Sequence, residues 1–344
     1  GDDMLYADAG YNDAAPRSAS DQATDYLYGG DGSDSLYAGS GDDRLYGGEG
    51  DDRLYGGTDH TQMDGGAGDD YLEAGAVESG PGNLLYGGEG DDIIYGDYAD
   101  SESHQNDGND ILIGGLGRDV MYGGEGHDVM YSDKVVGVNQ IEGDGQADLM
   151  YGGAGDDIMY AGTGGDQLFG EAGDDTLIAG ESVGGTFSGG EGDDTLIIGA
   201  GHDNKFWGGA GKNTYVVSHE SLAAGAGSDI LSDADGNWKL TIDGQTLNSG
   251  NVTAVAENKW RLGNVEIMVS GYNLIIYAVT INADGTANKI GKQLIVQNAA
   301  GQNGFSDLNL PGYNPEETEE NQAQVSSGTN TDERGQACQL RRFV

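Results

Sequence analysis

Apolar and polar positions in the first two thirds of the chain follow a period of nine: one aliphatic or methionine residue between β-prone neighbours, preceded by six glycine-rich, acidic positions. GGDGSDSLY from Gly29, AGSGDDRLY from Ala38 and GGEGDDRLY from Gly47 are consecutive copies, and GGEGDDIIY from Gly87, GGLGRDVMY from Gly114, GGEGHDVMY from Gly123 and GGAGDDIMY from Gly152 repeat the phrase. A unit this small buries nothing alone and has to stack on its neighbours. Its last three positions, such as Ser35 to Tyr37 or Ile93 to Tyr95, predict a very short strand with the middle side chain pointing inward. The glycine pair predicts a turn over the first six positions, because glycine reaches positive φ without a steric penalty. Two units make one flattened coil of eighteen residues. Coils stacked about 4.8 Å apart give two parallel sheets around a thin apolar filling, with Leu45, Leu54, Ile94, Met121, Met130 and Met159 inside.

The sixth position carries the chemistry. Aspartate stands there at Asp25, Asp34, Asp43, Asp52, Asp70, Asp92, Asp110, Asp119, Asp128, Asp148, Asp157, Asp166, Asp175 and Asp194, and also at Asp3. Aspartate is a poor strand former and like charges one coil apart repel, so a cation has to lie between them. The glycine turns expose bare backbone, whose carbonyl oxygens can converge on an ion. Carboxylate plus carbonyl oxygen, without nitrogen or sulfur, is the donor set of a hard cation with six or more ligands, and calcium fits best.

GGxGxD followed by x, an aliphatic residue and x resembles the RTX nonapeptide, and the match runs from about Gly1 to Val217. The resemblance implies an all-β fold: a right-handed parallel β-roll, or β-solenoid, with calcium ions held between successive turns on the same side. It implies that the sixth-position carboxylates bind directly and that turn residues add main-chain oxygens. Here those residues are Gly30, Gly32, Gly39, Gly41, Gly48, Gly50, Gly66, Gly68, Gly88, Gly90, Gly115, Gly117, Gly124, Gly126, Gly153, Gly155, Gly190 and Gly192. Asn83, Asn204 and Asn213 replace the expected aspartate, and Gly185 leaves its position without a side-chain ligand. Extra residues interrupt the period after Asp8, after Thr58, from Ala76 to Pro81, from Tyr98 to Asn109 and from Lys134 to Ala147, and read as solvated loops on the rim.

Charge narrows the partners. The 344 residues include 65 glycines and 60 acids against 15 basic residues, a formal net charge of −45. Such a chain repels nucleic acid and anionic membrane surfaces alike, so neither nucleic-acid binding nor direct membrane insertion is expected. High acidity with few large apolar residues predicts disorder without metal, so that binding and folding are coupled. The expected trigger is millimolar calcium, the range of extracellular oxygen-ligand modules.

Cys338 is the single cysteine, which excludes an intrachain disulfide. Neither a signal peptide nor an apolar run of transmembrane length is found, and the first residues read as the back half of a unit, as in a segment of a longer protein. The resemblance implies a secreted, extracellular bacterial protein that leaves by a type I exporter, a partner inferred from the family alone.

After Val217 the period is lost. Trp238 to Ile242, Val265 to Ser270, Leu274 to Ile281 and Gln293 to Gln297 read as strands, with turns at Asp243-Gly244 and Asp284-Gly285. The organisation expected is a roll over 1–217, a small antiparallel β domain capping it over 218–313, and a disordered acidic tail over 314–344. The segment is expected to be monomeric.

Tyr28, Tyr37, Tyr46, Tyr55, Tyr86, Tyr95, Tyr122, Tyr131, Tyr151 and Tyr160 share the ninth, outward position. They read as cross-strand packing, with a sugar-binding ladder on a glycan or surface target as the alternative. Catalytic patterns are poor. Gly180 to Gly184 spell GxSxG inside a distorted repeat, and His219-Glu220 opens like a zinc-protease helix but has Ala223 at the place of the second histidine. The functional reading is a non-enzymatic calcium-binding module that folds after export and supports or displays a neighbouring domain. The alternative is the C-terminal part of an RTX lipase, protease or pore-former.

Overall fold

Each coil is built around the eighth residue of its unit. Leu36, Leu54, Leu72, Ile94, Met121, Met150 and Leu168 pair in register along one wall. Leu27, Leu45, Met63, Leu85, Leu112, Met130 and Met159 do the same along the other. All of them are buried. The computed structural model describes residues 1–6, 24–57, 59–75, 82–97, 108–137, 140–224, 226–232, 237–248, 250–270, 273–297 and 310–311. Among these, successive strands of the coils alternate between a sixteen-stranded and a thirteen-stranded sheet, and the coil-to-coil pairing is parallel. Toward the C-terminal end the filling becomes aromatic, with Phe187 stacked on Phe206 at 4.9 Å and Tyr215 opposite.

The turns are tighter than the period suggests. Tyr26–Asp31, Leu84–Glu89 and Val120–Glu125 run on through the paired glycines, so only the fourth to sixth positions turn. The second glycine allows this. Gly48 has φ of 122° yet still pairs with Gly30 and Gly66, and a methyl on it would collide with the Gly30 carbonyl of the coil before. One expected loop is also different: Val129–Gly137 pairs antiparallel with Gln140–Glu142, setting β-branched Val135 opposite Ile141 within the Lys134–Ala147 insertion. The insertions after Asp8, at Thr58 and over 76–81 and 98–107 lie outside the described residues, as does the tail from 312.

Past Val217 a helical turn, His219–Ala223, is capped by the Ser218 hydroxyl accepting the Ser221 N–H and buries Leu222. The parallel ladder then resumes: Ser228–Ser232 pairs with Lys205–Ala210, and Trp238–Ile242 with Asn213–Val217. Asp243 and Gly244, both at positive φ, reverse the chain into Gln245–Thr246. On the other sheet Ala287–Gln297 pairs parallel with Ser228–Ser232. From it Asn273–Ile281, Val265–Ser270, Lys259–Leu262 and Thr253–Ala256 follow antiparallel. The antiparallel strands therefore extend the roll's own sheet.

Candidate metal centre

The turns stack the sixth-position residues into two columns, one at each edge of the flattened coils. In the first, the backbone N–H of Asp34 donates to Asp52 Oδ1 at 2.7 Å, Asp52 to Asp70 at 2.7 Å, and Asp70 to Asp92 at 2.8 Å. Asp92, Asp119, Asp148 and Asp166 continue it. In the second, Asp25 donates to Asp43 Oδ1. Further along, Asp110, Asp128, Asp157, Asp175 and Asp194 are linked in the same way at 2.7–2.9 Å. One carboxylate oxygen of each linked aspartate is thus used to bind the preceding coil.

The second oxygen is the unusual one. Oδ2 of Asp34, Asp52, Asp70, Asp92, Asp119, Asp157, Asp166, Asp175 and Asp194 is buried without a hydrogen-bond donor. A methyl built on Gly47 would strike both Asp52 Oδ2 and the Gly65 carbonyl of the next coil, and Gly65, Gly87, Gly170 and Gly189 repeat that geometry. Carboxylate and carbonyl oxygens therefore converge on one small space, a poor arrangement unless something positive lies there. Carbonyls at the second and fourth positions point along the stack as well: methyls on Gly48 and Gly50 would meet the oxygens of Gly30 and Gly32. Among the described residues no three acidic, histidine or cysteine side chains gather at one point. Main-chain oxygen has to supply much of any ligand shell, as hard cations accept. On this donor set calcium fits.

Burial holds these acids well above the ordinary carboxylate value, with backbone N–H donation opposing and neighbouring aspartates adding to the rise. Asp92, Asp148 and Asp166 are pushed up to about 8, Asp70, Asp119, Asp157 and Asp194 to about 7, and Asp175 to about 6. The fifth-position acids face the opposite way. Asp51, Asp69, Asp156 and Asp174 lie in the solvent and accept N–H groups from the coil after, so the paired acids diverge.

Each column has a break. In the first, Gly185 donates to Asn204 Oδ1; in the second, Thr61 donates to Asn83 Oδ1, and Asp194 to Asn213. Thr61 escapes a search for aspartate, because threonine there keeps the fold and loses the charge. Asp229 was hidden in AGAGSDILS from Ala224, whose spacing the helical turn stretches to twenty-five residues from Asn204. Asp97 and Asp133 are buried acids at the second position, visible as YGD and YSD where the pattern has a glycine pair.

The tyrosines form a continuous ladder on the larger sheet: Tyr6, Tyr37, Tyr55, Tyr71, Tyr95, Tyr122, Tyr151 and Phe169, at 4.7–5.8 Å between ring centroids. Where Glu73 interrupts the ninth position, Tyr71 fills the rung from the seventh and donates its hydroxyl to Glu73 at 2.6 Å. Ring faces inside the ladder are covered by one another, which favours packing over face-on sugar binding. Ser182 of the GxSxG pattern is buried, with its hydroxyl donating to Gly164 O at 3.0 Å, a stacking role.

The sequence matches the family model described as RTX calcium-binding nonapeptide repeat (4 copies) over residues 28–63, 46–76, 82–98, 104–134, 136–168, 151–182 and 186–215. No curated relative matches the chain. Among solved structures, a hyperactive, Ca2+-dependent, β-helical antifreeze protein from an Antarctic bacterium aligns with a TM-score of 0.32 and 21% identity, over 64% of this chain and 80% of that one.

Proposed function

Because the chain belongs to the RTX calcium-binding nonapeptide repeat family, we propose that its two columns are calcium sites whose filling drives the coils to fold once the protein has been exported. The sixth-position carboxylates hold the ion through Oδ2, with carbonyl oxygens of the first, second and fourth turn positions completing the shell. Calcium bound there would supply positive charge directly against the buried carboxylates. Without it, the aspartates repel along each column and are stripped of water for no return, so the unfolded chain is favoured. The module is structural: it folds in calcium-rich surroundings outside the cell and carries a neighbouring region whose activity lies elsewhere.

One observation carries this reading, the row of buried Oδ2 atoms without a hydrogen-bond donor, beside turn carbonyls that converge on the same space. Equilibrium dialysis with metal analysis, paired with far-ultraviolet circular dichroism, tests it. Several calcium ions per chain and a β spectrum that grows with calcium are expected. A β spectrum unchanged after thorough metal removal overturns it.

A further inference from the structure

One sixth-position aspartate is answered from within the chain. Asp229 joins the first column by accepting the Asn204 N–H at 3.0 Å. Its Oδ2 lies 2.6 Å from the Lys292 ammonium nitrogen, and both side chains are completely buried. The same ammonium donates to the carbonyl of Gly199, at 2.7 Å, and to that of Gly201. These two glycines hold the second and fourth places of the turn one coil earlier. A methyl on Gly199 would meet the Gly180 carbonyl and one on Gly201 the Ser182 carbonyl, the relation Gly48 and Gly50 have to Gly30 and Gly32. Lys292 therefore gathers one sixth-position carboxylate oxygen and two turn carbonyls. An ammonium, with three donors and no acceptor, is matched to three such oxygens.

Lysine is rarely buried, and here no local pattern places it. It reaches the crevice because Ala287–Gln297 pairs with Ser228–Ser232, setting Gln293 beside Ser228 and Lys292 at the mouth of the turn. We propose that Lys292 is the resident cation of the last crevice in this column, standing on the kind of donor set assigned above to calcium. Asp229 is thereby neutralised at any calcium concentration, and the antiparallel end is fastened to the final coils by a charge the chain carries itself. The inference rests on the calcium reading. It adds that truncating Lys292 opens one more divalent-cation site.

Crystals of the unmodified protein grown in calcium give the first test. Anomalous density is expected beside Asp52, Asp70 and Asp92 and not between Asp229 and the Gly199 and Gly201 carbonyls; a peak there overturns the inference. Native mass spectrometry of Lys292→Ala in calcium should then count one ion more than the parent, and Asp229→Asn should leave the count unchanged while Asp52→Asn lowers it. A folded Lys292→Ala with the parent's count, or a lower count in Asp229→Asn, overturns the assignment. Should Lys292→Ala fail to fold, the parent's density and the Asp229→Asn count decide. A parent that binds no calcium in any crevice overturns the calcium reading itself, which its zero count reveals before any variant is made.

Discussion

In the coils, Asp92 and Asp157 are buried with one carboxylate oxygen left without a hydrogen-bond donor, whereas the carboxylate of Glu266 in the antiparallel end is just as enclosed and fully answered. Lys259 lies 2.5 Å and Arg261 2.6 Å from the Glu266 carboxylate, and the Tyr277 hydroxyl donates at 3.1 Å. Burial alone would raise Glu266, but the bonds from Arg261, Lys259 and Tyr277 bring it below its ordinary value. Asp92 and Asp157, without such partners, go the other way. The same residue chemistry thus leaves one region with buried carboxylate oxygens that have no donor, and another in which cationic side chains and a hydroxyl answer the buried charge.

The largest effect should come from chelation. Removing divalent metal is expected to abolish hydrogen-exchange protection across Arg53–Gly57, Ile93–Tyr95 and the other coil strands, while Val265–Ser270 and Asn273–Ile281 keep theirs for longer. Protection lost at the same rate in both regions would erase the contrast. Acidity should act next. Carboxyls raised from 3.8 to about 6–8 in the folded coils destabilise the metal-free fold as pH rises from about 4, the ordinary value, and the penalty is complete near 8. A chelated sample should therefore gain β signal on acidification toward pH 4. Calcium-loaded coils should respond oppositely and lose ions as pH falls, since protonated carboxyls do not ligate. A chelated sample whose circular dichroism is flat between pH 4 and 8 contradicts the assignment of these groups.

Gly48→Ala should weaken the coils more than it weakens the antiparallel strands. Positive φ costs a side chain about 1–3 kcal/mol, and the added methyl meets the Gly30 carbonyl. Its calcium midpoint, followed by circular dichroism, should rise several-fold. Smallest of all is Tyr37→Ala, which removes one rung between Tyr6 and Tyr55. A loss of about 1 kcal/mol in denaturant titration of the calcium-loaded protein is expected, with the calcium count unchanged.

Much of this was legible from residue order. A period of nine with one apolar position per unit already requires coils, and Leu54, Ile94 and Met121 occupy the inside because any other register would expose them. The aspartates and turn glycines carry their chemistry in their identities. The Lys134–Ala147 excursion was less legible, since a hairpin and a solvated loop share polar turn residues and differ only in whether valines find a partner strand. Tyr71 could not be read as a rung, because its place in the ladder depends on which face Glu73 leaves vacant.

Local spacing by itself determined the repeating coil, its core line and the oxygen-rich columns, since each depends on contacts that recur at one fixed separation. Only the tertiary structure decided that Oδ1 binds the preceding coil while Oδ2 stays without a donor, and that Lys292 reaches Asp229 across sixty-three residues. Those outcomes depend on where distant strands pair, and a periodic pattern carries no information about an interaction that occurs once.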